Sequence, residues 1–206
     1  MFYEPKNGHG FDYDPYKAIV APRPIGWIST VDMQGRPNIA PYSFFNAMSS
    51  RPPMVGFTSD GMKHSISNAK ETGEFVYNVC NLPLLEAMNQ TALVLDKGVS
   101  EFETANLATA PSKIVKAPRV VDAPAAFECK VVHFHAFNDV DGKSADRYII
   151  VGQVVGVYIN EKYIRNGRFD LELVQPVARC GYRDYAVISK IFEVMPAAEN
   201  AMQVLR

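Results

Sequence analysis

The chain has 206 residues, 48% hydrophobic and 21% charged, the make-up of an ordinary globular protein long enough for a full core. A formal net charge of −1 gives no electrostatic reason to expect nucleic acid or an acidic membrane surface as partner. No apolar run approaches the length that spans a bilayer. The start, MFYEPKNGHGFDYD, lacks the basic region and continuous apolar stretch of a secretory signal, so a cytoplasmic protein is expected. The three cysteines, Cys80, Cys129 and Cys180, are widely spaced without a C-x-x-C pair. That argues against a disulfide framework and a structural zinc site and for reduced core or pocket cysteines.

Residues 1–18 are aromatic and polar with no sustained period, and read as an extended arm with a turn at Asp14-Pro15. Phe2, Tyr3, Phe11, Tyr13 and Tyr16 are costly to leave in water, so the arm is expected to pack on the main body or on a second subunit. Ile25 to Val31 mixes β-branched and aromatic residues with polar ones and reads as a strand. Asp32 to Arg36, with Gly35 near its end, suits a hairpin loop of about three to five residues, and Pro37 to Ala40 starts the return strand. The next stretch, YSFFNAMSSRPP, carries too many hydroxyls for a buried strand. Yet Tyr42, Phe44, Phe45 and Met48 are too apolar for a solvated loop. It reads as the wall of a ligand pocket, apolar with a few placed polar groups.

Met54 to Thr58 is a short strand, followed by a Ser-Asp-Gly turn and a helix over Lys63 to Thr72, punctuated by Ser65, Asn68 and Gly73. A serine-capped helix start beside a lysine offers an anion unpaired N–H groups, the positive helix end and an ammonium. The same pattern also describes an ordinary capped helix with a solvated lysine. Glu74 to Val79 is a strand. Pro83 to Lys97 reads as a helix with Leu85, Met88, Ala92 and Leu95 on one face and Gly98 as its stop. Ser100 with Glu103 makes a capping box for a second short helix. Residues 110–124 are proline-rich and irregular, a connection expected to cross the pocket or a subunit interface. Ala125 to Phe137 and Tyr148 to Asn160 are long strands joined by a polar loop. On the first, the period of two puts Phe127, Cys129, Val131, His133 and His135 on one face. No carboxylate or third ligand completes a metal set there, so the histidines read as sheet or pocket residues. Ala186 to Val194 alternates as a final strand, and AAENAMQVLR suits a helical turn or an unstructured end.

No G-x-G-x-x-G, P-loop, H-E-x-x-H or G-x-S-x-G pattern occurs. A Rossmann dinucleotide site, a phosphoryl-transfer site, a zincin and an α/β-hydrolase are therefore unsupported. A different signature runs through RPIGWIST (Arg23 to Thr30), the Gly-x-x-Asn-Ile-Ala-Pro-Tyr-Ser-Phe-Phe-Asn run (Gly35 to Asn46), and Pro52-Pro53. It continues in Lys63-His64-Ser65, Thr72 to Asn78, and Arg179-Cys180-Gly181 followed by Tyr185. In this order, and over most of the chain, the blocks resemble the flavin reductase-like family, in its flavoredoxin-like branch. The resemblance implies a mainly β fold with peripheral helices, an FMN-binding split antiparallel β-barrel of about six strands. It is expected as a single domain over 1–206, with 1–18 as the amino-terminal arm.

FMN is the implied cofactor, with the redox chemistry carried by the flavin and binding and orientation by the protein. No side chain is expected to act as acid or base. Lys63 and Ser65 match the phosphate contacts, with Thr30 and Ser43 nearby. The family pattern Lys-Asp-Thr stands here as Lys63-His64-Ser65, with Asn68 kept beyond it. Phe44 and Phe45, with the backbone from Met48 through Ser49 to Ser50, match the flavin ring, and Asn46 its polar edge. Arg179 and Tyr185 match further contacts, although Cys180-Gly181-Tyr182 replaces the usual Leu-Gly-Gly. The implied activity is an NAD(P)H-dependent flavin reductase. The alternatives are a flavoredoxin-like FMN electron carrier without a nicotinamide site, and a non-enzymatic FMN-binding or interaction module. The resemblance also implies a homodimer with FMN at or near the interface, and an unidentified electron acceptor as a further partner.

Overall fold

A computed structural model describes every residue except 94, 96–98 and 195–206. The arm ends in α1 (Tyr16–Ile19) and leads into β1 (Arg23–Pro24) and β2 (Gly26–Val31). Next come β3 (Pro37–Tyr42), β4 (Phe45–Ser50), β5 (Pro53–Asp60), α2 (His64–Thr72) and β6 (Glu74–Asn78). Two short helices, α3 (Leu85–Gln90) and α4 (Glu101–Thr104), and two short strands, β7 (Thr109–Ala110) and β8 (Arg119–Val120), precede the long hairpin of β9 (Ala125–Asn138) and β10 (Ser144–Ile159). Beyond it lie β11 (Ile164–Arg165), β12 (Arg168–Phe169), α5 (Leu171–Val174), β13 (Val177–Arg179) and β14 (Tyr185–Val187).

The main sheet has seven strands in the order β3-β2-β6-β9-β10-β5-β4, every pair antiparallel. Its edges, β3 and β4, are consecutive in the chain and separated only by Ser43 and Phe44. So short a link holds the edges together and rolls the sheet into the expected split barrel. A bond from Thr58 N–H to Phe44 O at 2.9 Å carries the β4–β5 ladder on into the link. The strand beyond the expected six is β4, in the stretch read as a pocket wall without strand character. Only Phe45 on it is buried, and as an edge strand with one face in solvent it tolerates the hydroxyls and amides that a central strand would not.

The barrel interior is filled by Ile28, Phe45, Phe57, Phe75, Cys129 and Ile150, with Ile66 and Ala69 of α2 packed against them. On the other side of β2, Trp27 anchors a second cluster with Ile39, Met88, Phe102 and Val120. Trp27 also ends α3 early. Its Nε1 donates to Thr91 Oγ1 at 2.9 Å, and that hydroxyl donates to Met88 O at 2.7 Å, so Thr91 turns out of the helix. The helix expected over Pro83 to Lys97 therefore stops at Gln90; the Gly98 stop lies outside the described residues. The final strand is also shorter than expected, ending at Val187, and the AAENAMQVLR segment lies outside the described residues.

A bulge corrects the expected face of β9. Val131 pairs with Gly152, but His133 pairs with Val151, leaving Val132 as an extra residue. An extra residue reverses the alternation. Cys129 faces the core, Phe134 packs inward against Tyr148, and His133 and His135 lie exposed and stacked with ring centroids 6.1 Å apart. All three cysteines are free thiols. Among the described residues, no helix is long and apolar enough to cross a membrane.

Residues 110–124 are held by two carboxylates of the sheet. Glu128 on β9 accepts the N–H groups of Lys113 (2.8 Å), Ile114 (2.6 Å) and Val115 (3.1 Å). Glu74 on β6 accepts Lys116 N–H at 2.5 Å and pairs with Lys130 Nζ at 2.6 Å. The irregular segment thus finds its hydrogen bonds in its own barrel.

Candidate functional site

The site is built around the amino terminus of α2. Burial of Ile66 and Ala69 fixes that helix on the barrel, which presses its first turn against β3. The first intrahelical acceptor is Lys63 O, bonded to Ser67 N–H at 3.0 Å. The N–H groups of His64, Ser65 and Ile66 therefore have no intrahelical acceptor. Lys63 holds the cap position with extended backbone and makes no side-chain cap bond. This corrects the reading of Ser65 as the cap. Ser65 lies inside the first turn, 1% exposed, and its hydroxyl donates to the Asn38 carbonyl at 2.8 Å and meets the Tyr42 hydroxyl.

A cleft of about 260 Å³ opens over this turn, lined by Asn38, Ala40 and Tyr42 of β3, Lys63, His64 and Ser65 of α2, and Glu101 of α4. Beneath it, Thr30 is 0% exposed and its Oγ1 accepts from Asn68 Nδ2 at 3.1 Å. Thr30 is therefore a support under the floor, not a surface that a ligand touches, because β2 is buried on both faces. Burial pushes the Tyr42 phenol above its ordinary range, with Ser65 and Ser59 bonds partly opposing and the Glu101 charge adding to the rise. Glu101 is 6% exposed. Its Oε1 lies 3.3 Å from the Asn38 amide nitrogen, and its Oε2 has no partner among the described residues. Burial raises its carboxyl above the usual range, against the backbone bonds from its own N–H and that of Ile39 and the nearby His64.

The remaining expected residues fall in two other places. Ser43 is half-buried in the link between the edge strands, and Phe44 is 41% exposed with the Arg23 guanidinium 5.7 Å from its ring. Phe45 points the other way: its ring stacks on Tyr77 at 4.5 Å and presses on Gly26, where a Cβ would lie 2.6 Å from it. Its side chain is core, which corrects its assignment as a flank of the flavin ring. Asn46 and Ser50 are exposed on β4. Asn46 Oδ1 accepts Ala47 N–H at 2.8 Å, and Ser49 Oγ accepts Arg51 N–H at 3.3 Å. Arg179 and Tyr185 pair across β13 and β14, the guanidinium 4.4 Å over the phenol ring and Nη2 donating to Tyr182 O at 2.8 Å. Neither lines the α2 cleft. Sequence reasoning placed Tyr42 in a pocket wall but named neither it nor Glu101 as a site residue. Tyr42 stands in a signature block, while α4 carried no signal beyond its cap.

Residues 20–172 match the family described as the flavin reductase like domain. The chain belongs to the flavin reductase-like family. Component B of nitrilotriacetate monooxygenase from Bacillus cereus is similar at 27% identity and a TM-score of 0.85, over 94% of this chain and 99% of that one. The 2-nitrobenzoate 2-nitroreductase NbaA of Pseudomonas fluorescens is 30% identical with a TM-score of 0.78, over 88% of this chain and 89% of its own. Flavoredoxin of Desulfovibrio vulgaris (Miyazaki F), 19% identical with a TM-score of 0.76 over 97% and 100% of the two chains, shares the fold. Membership brings the family's chemical class, that of flavin-binding oxidoreductases.

The cleft's donors fit the phosphate end of a flavin nucleotide: an exposed ammonium at Lys63, the free N–H groups of the first α2 turn, and His64 beside them. Its volume, about 260 Å³, is below the roughly 300–1,000 Å³ of pockets that enclose a whole ligand. It suits one end of a molecule as long as FMN. Among the described lining residues, only Glu101 runs against an anion.

Proposed function

We propose that the chain is an FMN-binding oxidoreductase of the NAD(P)H-dependent flavin reductase type. The observation that carries the reading is the α2 cleft, where Lys63, His64 and Ser65 at the helix start line one space inside a flavin reductase-like fold. In this reading Lys63 supplies the charge, the helix start supplies directed N–H donors, and Asn38, Asn68 and Thr30 hold the floor rigid from below. Ser43, Phe44 and Asn46, at the link and on the β4 edge, would hold the ring, and the exposed polar groups of that edge suit the flavin's polar rim. Bound FMN would supply hydride acceptance from nicotinamide and electron delivery to an acceptor. The chain's share is grip, orientation and an open edge for the second reactant.

The test is an anaerobic titration of flavin-supplemented protein with NADH and NADPH, followed by the flavin absorbance. Bleaching by either nicotinamide within seconds is the expected result. Bound flavin that neither nicotinamide reduces would overturn the reductase reading in favour of an electron carrier. A colourless protein after flavin supplementation would overturn flavin binding itself.

A further inference from the structure

We propose that Glu101 belongs to the phosphate site as a neutral acid, donating its carboxyl proton to the bound phosphate, so that FMN binding draws one proton from solvent. This rests on the reading of the α2 cleft as the place of the FMN phosphate. Glu101 comes from α4, far along the chain from α2, yet shares one cleft wall with Lys63, His64 and Ser65. It is 6% exposed. The Asn38 amide nitrogen faces Oε1 at 3.3 Å, which leaves Oε2 as the oxygen without a partner among the described residues. A buried carboxylate oxygen with nothing to accept from is costly, whereas a protonated one becomes a donor looking for an acceptor. A phosphate oxygen in the cleft is such an acceptor.

Of the surrounding charges, His64 favours the ionised carboxylate and an entering phosphate the neutral acid. His64 and Lys63 face the cleft from α2 and Tyr42 from β3, while Glu103 of the same short helix and the Asp32–Arg36 hairpin line an adjoining polar cleft that Glu101 and His64 also line. Arg36 is already paired with Asp32 at 2.6 Å, and among the described residues no Lys or Arg forms an ion pair with Glu101. A phosphate entering beside an ionised Glu101 would meet a like charge in a partly dry cleft, which favours the protonated form. Burial already moves Glu101 that way before any ligand arrives.

The experiment measures FMN affinity by flavin fluorescence between about pH 5 and 9 for the wild-type chain and E101Q, with riboflavin as the phosphate-free probe. Glutamine keeps a donor and cannot ionise. The two proteins should bind FMN alike at the acid end. As pH rises the wild-type dissociation constant should climb by up to about tenfold per unit relative to E101Q. Riboflavin should show no such divergence. Calorimetry of the wild type in buffers of different ionisation enthalpy gives a second readout, a net proton uptake on FMN binding that E101Q lacks. A ratio independent of pH, an E101Q that binds FMN more weakly throughout, or a riboflavin divergence equal to that of FMN would overturn the role of Glu101 while leaving the flavin site standing. A wild-type chain that binds neither flavin would overturn both.

Discussion

Lys63 is the residue on which the phosphate reading turns. It is exposed, holds the α2 cap position and makes no side-chain cap bond, so its ammonium is available to a ligand. Lys63→Ala should weaken FMN binding by the worth of one charge-assisted contact, roughly 1.5–3 kcal/mol, or about ten- to a hundred-fold. The melting temperature should hardly move, because no fold contact is lost. Unchanged affinity in a fluorescence titration would remove Lys63 from the site. At this scale the sequence was legible for types and only partly for directions. Lys63 is exposed at the start of the expected helix, and Asn46 and Ser50 are exposed on a strand the sequence did not show. Thr30, Ser65 and Phe45 sit in the right segments but point into the protein. A signature block marks where the chain must be shaped for a ligand, and residues that support the shape and residues that touch the ligand leave the same mark in one sequence.

Elements were legible where their period was clean and illegible where a tertiary contact or a bulge intervened. β2, β3, β6, β9 and β10 lie where their β-branched and apolar runs placed strands. The reversal at Val132 left no trace, since a bulge adds one residue without changing composition. The Thr91 exit from α3 depends on Trp27, from a distant strand. The stapling of residues 110–124 by Glu128 and Glu74 belongs to the same class, and it makes a prediction. Burial alone would raise the Glu128 carboxyl, but the N–H groups of Lys113, Ile114 and Val115 outweigh it and hold it below the usual range. A depressed folded value means that the stabilisation is present above the unfolded carboxylate range and is lost as pH falls through the folded value. Glu128→Gln, whose amide NH₂ faces donors, should cost about 2 kcal/mol near neutrality and lower the melting midpoint by about 4–8 °C. The gap between wild type and variant should narrow on acidification. Calorimetric scans at several pH values decide it, and an equal gap at every pH would show that the charge of Glu128 does not matter.

At the scale of the whole molecule, the question is what covers the apolar surface that one barrel leaves open. Part of the surface expected to need a partner is satisfied within the chain, since Val115 and Val120 are buried. The end of the arm is also pinned at home: the Arg23 guanidinium donates to Lys17 O, Val20 O and Cys180 O, and Ala18 packs on Gly181. What remains is specific. Phe2 is 89% and Tyr13 73% exposed on the arm, and Ile114 and Val121 stay open. Val157 and Ile159, on alternate residues of β10, are exposed, as is Val155 at the bulge between Val154 and Gly156, where an antiparallel strand facing water would carry polar side chains. We propose that a second copy of the chain covers these surfaces. Light scattering at micromolar concentration should then give twice 22.9 kDa, and Val157→Asp should shift the population towards the single chain. If both chains build the flavin pocket, FMN affinity should fall with dilution near the dimer dissociation constant, because assembly and binding are then linked. A 22.9 kDa species whose FMN affinity is the same at every protein concentration would rule out the shared site and leave the α2 cleft to work within one barrel.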